Sequence, residues 1–557
     1  MHEFAALTRS FGVCGEIGGP VFTRDQVRRR RSRGGRRIRV AWLALVMVVA
    51  AACGSSGGAP NPNATPRHGG GVTVLLPGDA RGLDPYTANI ANQADGSRLS
   101  ALYDVLLWSD PATGTVRPQM AESLIPDRDG LVWTLTLKGG IRFGDGAKLD
   151  AMAVKRAWEK HKDPALQSPA AVAVAPLKLA VLDELRLRIE LPSANANFDR
   201  TVAHSLNFVP SPRTLDSPEA FAASRTAPVG AGPYRLREWV PGSHMTFERN
   251  PDYWQQGKPY LDTVTFRVDA ETTAAAKAID AKDADIVVSS DPVLLVQARG
   301  LGLPVDEIPL NGGQMLAFNT RKLPGRPLAD PNLRRAVALS LNGDEINRLY
   351  SDGKGRLAKG IFASSSPIAN IQLTMPQNDP TQAAALFAAA TDNGGKPLKL
   401  VFAVPSTPKA VAMAEYMKER IESVSSRQVR VDLVVEDIVV YSKRVLFDAD
   451  FDIATYGLWA EDAEPLLYQF LHSSGGPTNL TGYQNPEVDS ALEAARLSTD
   501  RTVRNEAYTR VQMRLINDVP FFVFLESLAG CVTSPDLTGA QLFNDGLLLW
   551  DRVGRRG

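Results

Sequence analysis

Alternating apolar and polar residues predict several half-buried β-strands in this chain. The clearest case is Val132–Leu137, in which every second residue from Trp133 onward is large and apolar. Further strands are predicted at residues 71–77, 185–191, 285–289, 398–404, 429–435 and 452–456. The intervening segments have a different periodicity, which predicts helices.

Three of these helices are expected to start at an Asp-Pro or Asn-Pro pair, at residues 330–331, 379–380 and 485–486. The Asp or Asn side chain caps free N–H groups, and proline fits the first helical position. A further helix carries Met413, Met417 and Ile421, a stripe that we assign to the core. Because strands and helices alternate without a strict βαβ repeat, the pattern predicts an α/β fold with mixed sheets.

Residues 229–254 have the pattern of a β-hairpin closed by turns. Gly230 and Gly232 are expected to adopt backbone angles that a side chain would forbid. Two alternating strands then flank the turn Pro241-Gly242, and Asn250-Pro251 begins a second turn before two aromatic residues. Taken alone, the segment predicts a structural hairpin without chemistry of its own.

The N-terminal region combines a basic run with a short apolar run. Arginine-rich residues 28–39 precede Val40–Ala52, which is shorter than the roughly 20 residues of a membrane-spanning helix. This order is typical of a secretory signal, here residues 1–52. Residues 50–53, Ala-Ala-Ala-Cys, resemble a bacterial lipobox, which makes Cys53 the predicted lipidation site. A non-cleaved N-terminal anchor is the alternative.

The charge balance changes once this leader is set apart. The whole chain has a net charge of +1, but residues 1–52 contain ten arginines and three acidic residues, so the remainder is near −6. A mildly acidic body argues against a nucleic-acid partner. Residues 53–69 are rich in Gly, Ser, Pro and Asn, which predicts a flexible tether between the lipid and the body. Cys531, the one cysteine distant from the leader, is expected to be a small buried apolar residue.

Two segments of the body carry a family resemblance. Residues 229–254 closely resemble the G-x-G-P-Y … P-G … N-P-x-Y-W segment of family 5 solute-binding proteins, the extracytoplasmic peptide- and nickel-binding subunits of ABC importers. Residues 120–146 resemble a second conserved block of that family, with Met120, Leu135 and Lys138 as departures.

The resemblance implies a two-lobed periplasmic-binding-protein (Venus flytrap) fold, type II-like. Residues 70–310 would form lobe one, with an extra subdomain at about 107–228, and residues 311–515 would form lobe two. Residues 516–557 would return to lobe one. The chain would cross between the lobes near 306–316 and near 515–530.

The sequence carries no recognisable enzyme motif. The chain contains no G-x-S-x-G, no H-E-x-x-H and no phosphate-binding loop. No two of the six histidines have the spacing of ligands on one helix, so neither a metal site nor a cofactor is expected. A surface-anchored hydrolase is the alternative from another functional class.

The acidic stretch 452–465 holds the candidate binding residues. It resembles the family's G-W-x-x-D-x-x-x-P, in which an acidic residue of the interlobe cleft pairs with the α-ammonium of the ligand. Counted back from Pro465, Glu461 occupies that position, and Asp462 is the alternative. Trp459 stands one residue from the usual tryptophan position, and Lys409, expected in a turn, would face the ligand's carboxylate.

The sequence thus predicts a lipid-anchored, monomeric, extracytoplasmic protein. It would capture short peptides and deliver them to the permease and ATPase subunits of an ABC importer. Because fold does not fix the ligand, a nickel chelate, haem or an oligosaccharide remains an alternative to a peptide.

Overall fold

The structure, a computed structural model, describes residues 66–80, 82–88, 93–111, 113–269 and 272–557. The predicted signal peptide, the lipidation site Cys53 and most of the predicted tether lie outside the described residues. None of the helices in the described part of the chain is both long enough and apolar enough to span a membrane.

The strands alternate with helices throughout the described residues. In chain order the strands are β1 (Pro66–Arg67), β2 (Gly71–Leu76), β3 (Leu107–Asp110), β4 (Thr115–Pro118), β5 (Ala121–Pro126), β6 (Val132–Leu137), β7 (Lys178–Val181), β8 (Arg186–Glu190), β9 (Tyr234–Val240), β10 (His244–Arg249), β11 (Thr263–Val268), β12 (Ile286–Ser289), β13 (Val305–Phe318), β14 (Leu398–Pro405), β15 (Val429–Glu436), β16 (Ile453–Ala460), β17 (Phe521–Thr533), β18 (Leu537–Thr538), β19 (Leu542–Phe543), β20 (Leu547–Leu548) and β21 (Gly554–Arg556).

The helices are α1 (Gln93–Tyr103), α2 (Ala151–Lys160), α3 (Ala171–Val174), α4 (Phe198–Ser205), α5 (Pro218–Ser224), α6 (Thr272–Asp280), α7 (Pro292–Gly300), α8 (Pro331–Ser340), α9 (Gly343–Ser351), α10 (Pro380–Ala390), α11 (Pro408–Val424), α12 (Ile438–Ser442), α13 (Leu466–Leu471), α14 (Pro486–Arg496) and α15 (Arg501–Asp518). The three predicted Asp-Pro and Asn-Pro starts are confirmed. The side chains of Asp330, Asp379 and Asn485 cap α8, α10 and α14, respectively.

A ten-stranded mixed sheet connects the two lobes. Its order is β15-β14-β16-β13-β17-β12-β2-β11-β10-β9. The long strands β13 and β17 lie at its centre and pair antiparallel from Val305 opposite Val532 to Ala317 opposite Phe521. One end of this pair joins β12 and the other joins β16, so β13 and β17 form the two crossings between the lobes.

Separate hydrophobic cores define the parts of the molecule. Lobe one surrounds the core that includes Val74, Phe266 and Trp550. Lobe two surrounds a core in which Met413 and Met417 are buried, as the predicted apolar stripe requires. A third core, formed largely by β6, β8 and α2, belongs to a subdomain of lobe one. Cys531 is buried in the core of lobe one, as predicted.

The hairpin β9–β10 forms as predicted, but the expected reason for its glycines is wrong. Neither Gly230 nor Gly232 has a positive φ. Instead, a Cβ on Gly230 would lie 2.0 Å from the carbonyl oxygen of Leu102. A Cβ on Gly232 would lie 2.4 Å from the carbonyl carbon of Leu102. Glycine is required here because the hairpin backbone packs directly on the end of α1.

The aromatic pair that follows the hairpin fastens it to the same helix end. The hydroxyl of Tyr253 donates a hydrogen bond to buried Asp104 at 2.6 Å, and Trp254 Nε1 donates to the same carboxyl at 2.9 Å. The hairpin and α1 therefore pack together in lobe one, and Trp550 of the C-terminal segment joins them by donating from Nε1 to the carbonyl oxygen of Ser97 at 2.7 Å.

Candidate binding site in the interlobe cleft

Strand β16 forms a wall of the cleft between the lobes. It pairs with β13 along its whole length, whereas on its other edge β14 pairs only with Ile453 and Ala454. Within the described residues, no strand covers that edge from Tyr456 to Ala460. Such an edge offers N–H and C=O groups to an extended chain. The sequence predicted this strand only as far as Tyr456, so its continuation through Gly457 is a finding of the structure.

Three neighbouring cavities follow the cleft. The strand cavity, about 450 Å³, lies along residues 456–459. The small cavity has about 30 Å³, room for a water-sized group. The crevice, about 670 Å³, reaches β13 and the start of α15. The strand cavity and the small cavity share His204, Leu466 and Asp545, and the small cavity and the crevice share Val116, Arg200, Glu461 and Asp462.

Glu461 stands between the small cavity and the crevice. Its Oε1 accepts a hydrogen bond from Ser109 of lobe one, and its backbone N–H donates to Asp545 Oδ1 at 2.6 Å. Its Oε2 is buried and has no hydrogen-bond partner in the described part of the chain. An unpaired buried carboxylate oxygen is costly, so this atom is suited to a donor or a cation that a ligand supplies.

The surroundings of Glu461 favour its neutral form when no cation is present. Burial and the nearby carboxylate of Asp545 raise the pKa of Glu461 to about 7, against the opposing effects of Ser109 and Arg200. A positive group in the small cavity would stabilise the charged carboxylate and so offset the effects of burial and of Asp545 on the pKa of Glu461. The site can therefore bind a proton or a cationic ligand at the same carboxyl group.

A histidine of lobe one contacts the acidic cluster formed by Glu461 and Asp545. His204 Nδ1 lies 2.5 Å from Asp545 Oδ2. Burial alone would lower the pKa of His204, but Asp545, through charge and a hydrogen bond, and Glu461 raise it above its ordinary value. A protonated His204 would balance Asp545, whereas Glu461 makes no ion pair with any of the described residues.

Asp462 differs from Glu461 because it already forms ion pairs with two arginines. Arg504 of α15 lies 2.5 Å from its Oδ1, and Arg200 of α4 lies 3.3 Å from its Oδ2. Burial alone would raise the pKa of Asp462, but these two guanidinium groups lower it. Since Arg200 belongs to lobe one and Arg504 to lobe two, Asp462 links the lobes.

The other two predicted residues lie apart from this cluster. Trp459 lines the strand cavity and is 36% exposed. Lys409 was expected in a turn, but it lies in the first turn of α11, which begins at Pro408. Its Nζ is 4.0 Å from Asp291 of lobe one, next to Ser290 on the wall of the strand cavity. The structure thus groups Glu461 with Asp462, whereas Lys409 lines none of the three cavities.

The sequence did not indicate five residues of the cluster: Ser109, Arg200, His204, Arg504 and Asp545. Asn544-Asp545-Gly546 has the composition of a turn, and Asp545 has a φ of 56° there. That signal predicts a turn but not a partner. Among the described residues, no group of three or more His, Cys, Asp or Glu side chains has the arrangement of a metal site.

We expect Glu461→Gln to stabilise the unliganded protein at neutral pH but not at acidic pH. Because the pKa of Glu461 in the folded protein, about 7, exceeds its ordinary value of 4.5, the wild type loses stability as the pH rises through this interval. The variant does not carry this cost. Its advantage in the free energy of unfolding should approach about 3 kcal/mol above about pH 7. Urea unfolding of both proteins from about pH 4.5 to 8 measures it, and a difference that does not change with pH would contradict the prediction.

Comparison with known proteins agrees with this architecture. A family model of the bacterial extracellular solute-binding proteins, family 5 middle region, matches residues 115–478. The nickel-binding periplasmic protein of Escherichia coli is 26% identical over 506 residues, covering 84% of this chain and 91% of that protein. The periplasmic oligopeptide-binding protein OppA of Escherichia coli is 25% identical over 484 residues, covering 81% and 86%.

Solved structures confirm the predicted two-lobed α/β fold. The oligopeptide-binding protein AppA of Bacillus subtilis, in complex with a nonapeptide, superposes with a TM-score of 0.73 at 19% identity, covering 88% of this chain and all of that one. NikA of Brucella suis, in complex with Fe(III)-EDTA, gives 0.70 at 22% identity, covering 87% and 100%. Because the family model matches more than half of the chain, this protein belongs to the family 5 bacterial extracellular solute-binding proteins, the substrate-binding proteins of ABC importers.

Proposed function

We propose that this protein captures short peptides between its two lobes and delivers them to the permease and ATPase of an ABC importer. The observation that carries this proposal is the buried Oε2 of Glu461, which has no hydrogen-bond partner among the described residues and lies beside a cavity of about 30 Å³. A free peptide has an α-ammonium group that fits such a space. A charge-assisted hydrogen bond to Glu461 would be strong there because little water reaches it.

The strand cavity suits the rest of a peptide. Its wall from Tyr456 to Trp459 has an edge to which an extended backbone can add hydrogen bonds. Backbone-directed binding of this kind is permissive for side chains, and Trp459 offers an apolar surface to one of them. Lys409, whose Nζ lies 4.0 Å from Asp291, would take the ligand's carboxylate in this arrangement.

Native mass spectrometry of the purified protein tests the ligand class. We expect a bound population whose extra mass corresponds to peptides of a few residues, lost on mild denaturation and returned intact. A metal chelate, haem or an oligosaccharide in its place would contradict the peptide proposal. Recovery of cleaved peptide would instead indicate a hydrolase.

We further propose that Cys53 anchors the protein to the membrane through lipid. The residue lies outside the described part of the structure, and the proposal rests on the basic run, the apolar run and Ala52-Cys53. We expect Cys53→Ser to abolish fatty-acid labelling and to release the protein from the membrane fraction. Membrane retention of an unacylated wild type would argue for the non-cleaved anchor instead. In this arrangement residues 70–310 and 516–557 form lobe one, residues 311–515 form lobe two, and the protein acts as a monomer.

A further inference from the structure

An uncharged contact joins the two lobes at the start of α4, apart from the acidic cluster. Asn197 directly precedes this helix of lobe one, and its side chain lies against the end of α14 in lobe two. Its Nδ2 donates to the carbonyl oxygens of Ser498 at 3.0 Å and of Arg496 at 3.2 Å. The backbone N–H of Ala196 donates to the carbonyl of Arg496 at 2.9 Å. Two neighbouring donors of lobe one therefore bind the end of one helix of lobe two.

The end of α14 needs donors from outside the helix. The last four carbonyl groups of an α-helix have no partner within the helix itself. The N–H of Leu497, just past the end of α14, serves the carbonyls of Ala495 and Glu493. The carbonyl of Arg496 receives its donors from lobe one instead. When the lobes separate, water has to replace these donors.

The side chain of Asn197 is not used by its own helix. Asparagine is favoured at this position because its side-chain oxygen can accept N–H groups of the first helical turn. Asn342 and Asn485 do so at the starts of α9 and α14. In α4, whose residues the structure describes in full, the side chain of Asn197 makes no such bond. The residue is only 3% exposed, so its amide group is committed to the other lobe.

The loop that presents Asn197 is fixed to the subdomain of lobe one. The N–H of Asn195 donates to the carbonyl of Gly130 at 2.9 Å, and Trp133 Nε1 donates to the carbonyl of Asn195 at 3.2 Å. Asn195 Oδ1 accepts the N–H of Asn197 at 2.8 Å. Phe198, the next residue, is buried in the core of this subdomain. The loop therefore moves with lobe one, and its bonds to α14 form and break as the lobes close and open.

We infer that Asn197 is a latch that stabilises the closed lobes independently of the chemistry of the ligand. Its hydrogen bonds join an amide to backbone carbonyls, without charged partners. It lies on the wall of the crevice but lines neither the small cavity nor the strand cavity, where the peptide is proposed to bind. A protein whose binding-competent state is less populated binds every ligand more weakly by that fraction. The latch therefore sets how tightly the protein binds and not which ligand it selects.

Hydrogen exchange of two backbone amides in the purified protein tests the latch directly. The N–H of Ala196 bonds across the lobes to α14, and the N–H of Glu461 bonds across them to Asp545. Glu461 is the more informative reporter, because it belongs to lobe two and is distant from Asn197 in the chain. A loss of protection there reports separation of the lobes and not loosening of one loop.

Asn479→Ala is the matched control for Asn197→Ala. Asn479 is 4% exposed, and its Nδ2 donates to the carbonyls of His472 and Tyr483 within lobe two. Both substitutions remove a buried amide that bonds to backbone carbonyls, but only one of these amides reaches the other lobe. We expect Asn197→Ala to raise the exchange rates of both reporter amides roughly tenfold or more, the size of one or two lost hydrogen bonds, and Asn479→Ala to change neither.

Asn197→Asp is a second variant that keeps the size of the side chain. A carboxylate is well suited to the start of α4, but it repels the carbonyl oxygens at the end of α14. It should raise the exchange rate of Glu461 at least as much as Asn197→Ala does. Three results would overturn the inference: a rise confined to Ala196, an equal rise with Asn479→Ala, or a wild type in which Ala196 exchanges like an unprotected amide.

Calorimetric titration with trialanine and N-acetyl-trialanine measures the consequence for binding. We expect Asn197→Ala to weaken both peptides by the same factor, because it acts on lobe closure, whereas Glu461→Gln should act mainly on the free peptide. If Asn197→Ala weakens only the free peptide, the latch is not independent of the ligand and the inference is overturned. If Asn197→Ala and Glu461→Gln each weaken both peptides equally, the latch stands and the proposed ammonium site is wrong.

Discussion

Asp462→Asn is expected to lower the free energy of unfolding by about 3 kcal/mol, the low end of the range for removing one partner of a buried ion pair. Arg504 and Arg200 both pair with this carboxylate, and their side chains are only 8% and 17% exposed. Without this negative charge, the two mostly buried guanidinium groups would lose the one carboxylate that pairs with both of them. Because one arginine belongs to each lobe, their repulsion would also oppose lobe closure.

Urea unfolding at neutral pH measures this effect, with Asp432→Asn as the matched control. Asp432 pairs with Lys399 at the surface, where both side chains are more than half exposed. Removing an exposed pair should cost less than about 1 kcal/mol. If Asp462→Asn costs no more than Asp432→Asn, the link between the lobes does not contribute as the geometry indicates.

Glu461→Gln should weaken the binding of a free peptide by roughly 2–5 kcal/mol, the range for losing one partner of a buried charged pair. The substitution keeps the size and the acceptor for Ser109 but removes the charge that the α-ammonium requires. Stability without ligand should improve at neutral pH, since the substitution removes a buried carboxylate whose Oε2 has no hydrogen-bond partner among the described residues. Lower affinity together with higher stability is the signature of a binding group, because a structural group would lower both.

Asp462→Asn provides the contrast for affinity. Both oxygens of Asp462 are engaged by arginines, so it should affect binding only through lobe closure and fold stability. Calorimetric titration of the same peptide against Glu461→Gln and Asp462→Asn measures both effects. If Glu461→Gln binds like the wild type and Asp462→Asn does not, the ammonium partner is Asp462.

Local patterns predicted the elements of this fold well, because the chemistry that forms them is local. Asp330, Asp379 and Asn485 cap helices through backbone groups two or three residues away. The glycines of the hairpin show where local reasoning ends. Gly230 and Gly232 were found as a motif, but the carbonyl that excludes a side chain belongs to Leu102, on a helix more than a hundred residues earlier.

The candidate site was predictable only in part for the same reason. The family resemblance identified Glu461, but Ser109 is 352 residues from it in the chain and Asp545 is 84 residues from it. No periodicity or spacing in the sequence predicts contacts between residues so far apart in the chain. Lys409 was predicted in a turn but lies in α11, and this difference is local. The apolar pattern locates the end of the preceding strand, and hence the start of the helix, only approximately.

The most direct test of an ammonium site at Glu461 is a calorimetric cycle with a free peptide and its N-acetylated form against the wild type and Glu461→Gln. Acetylation removes the charge from the ligand, and the substitution removes it from the protein. We expect the wild type to bind the acetylated peptide poorly and the substitution to cost that peptide much less than it costs the free one, a coupling of roughly 2 kcal/mol or more. Equal losses for both peptides, or no loss for either, would contradict the claim that this protein recognises its ligand through an amine in the interlobe cleft.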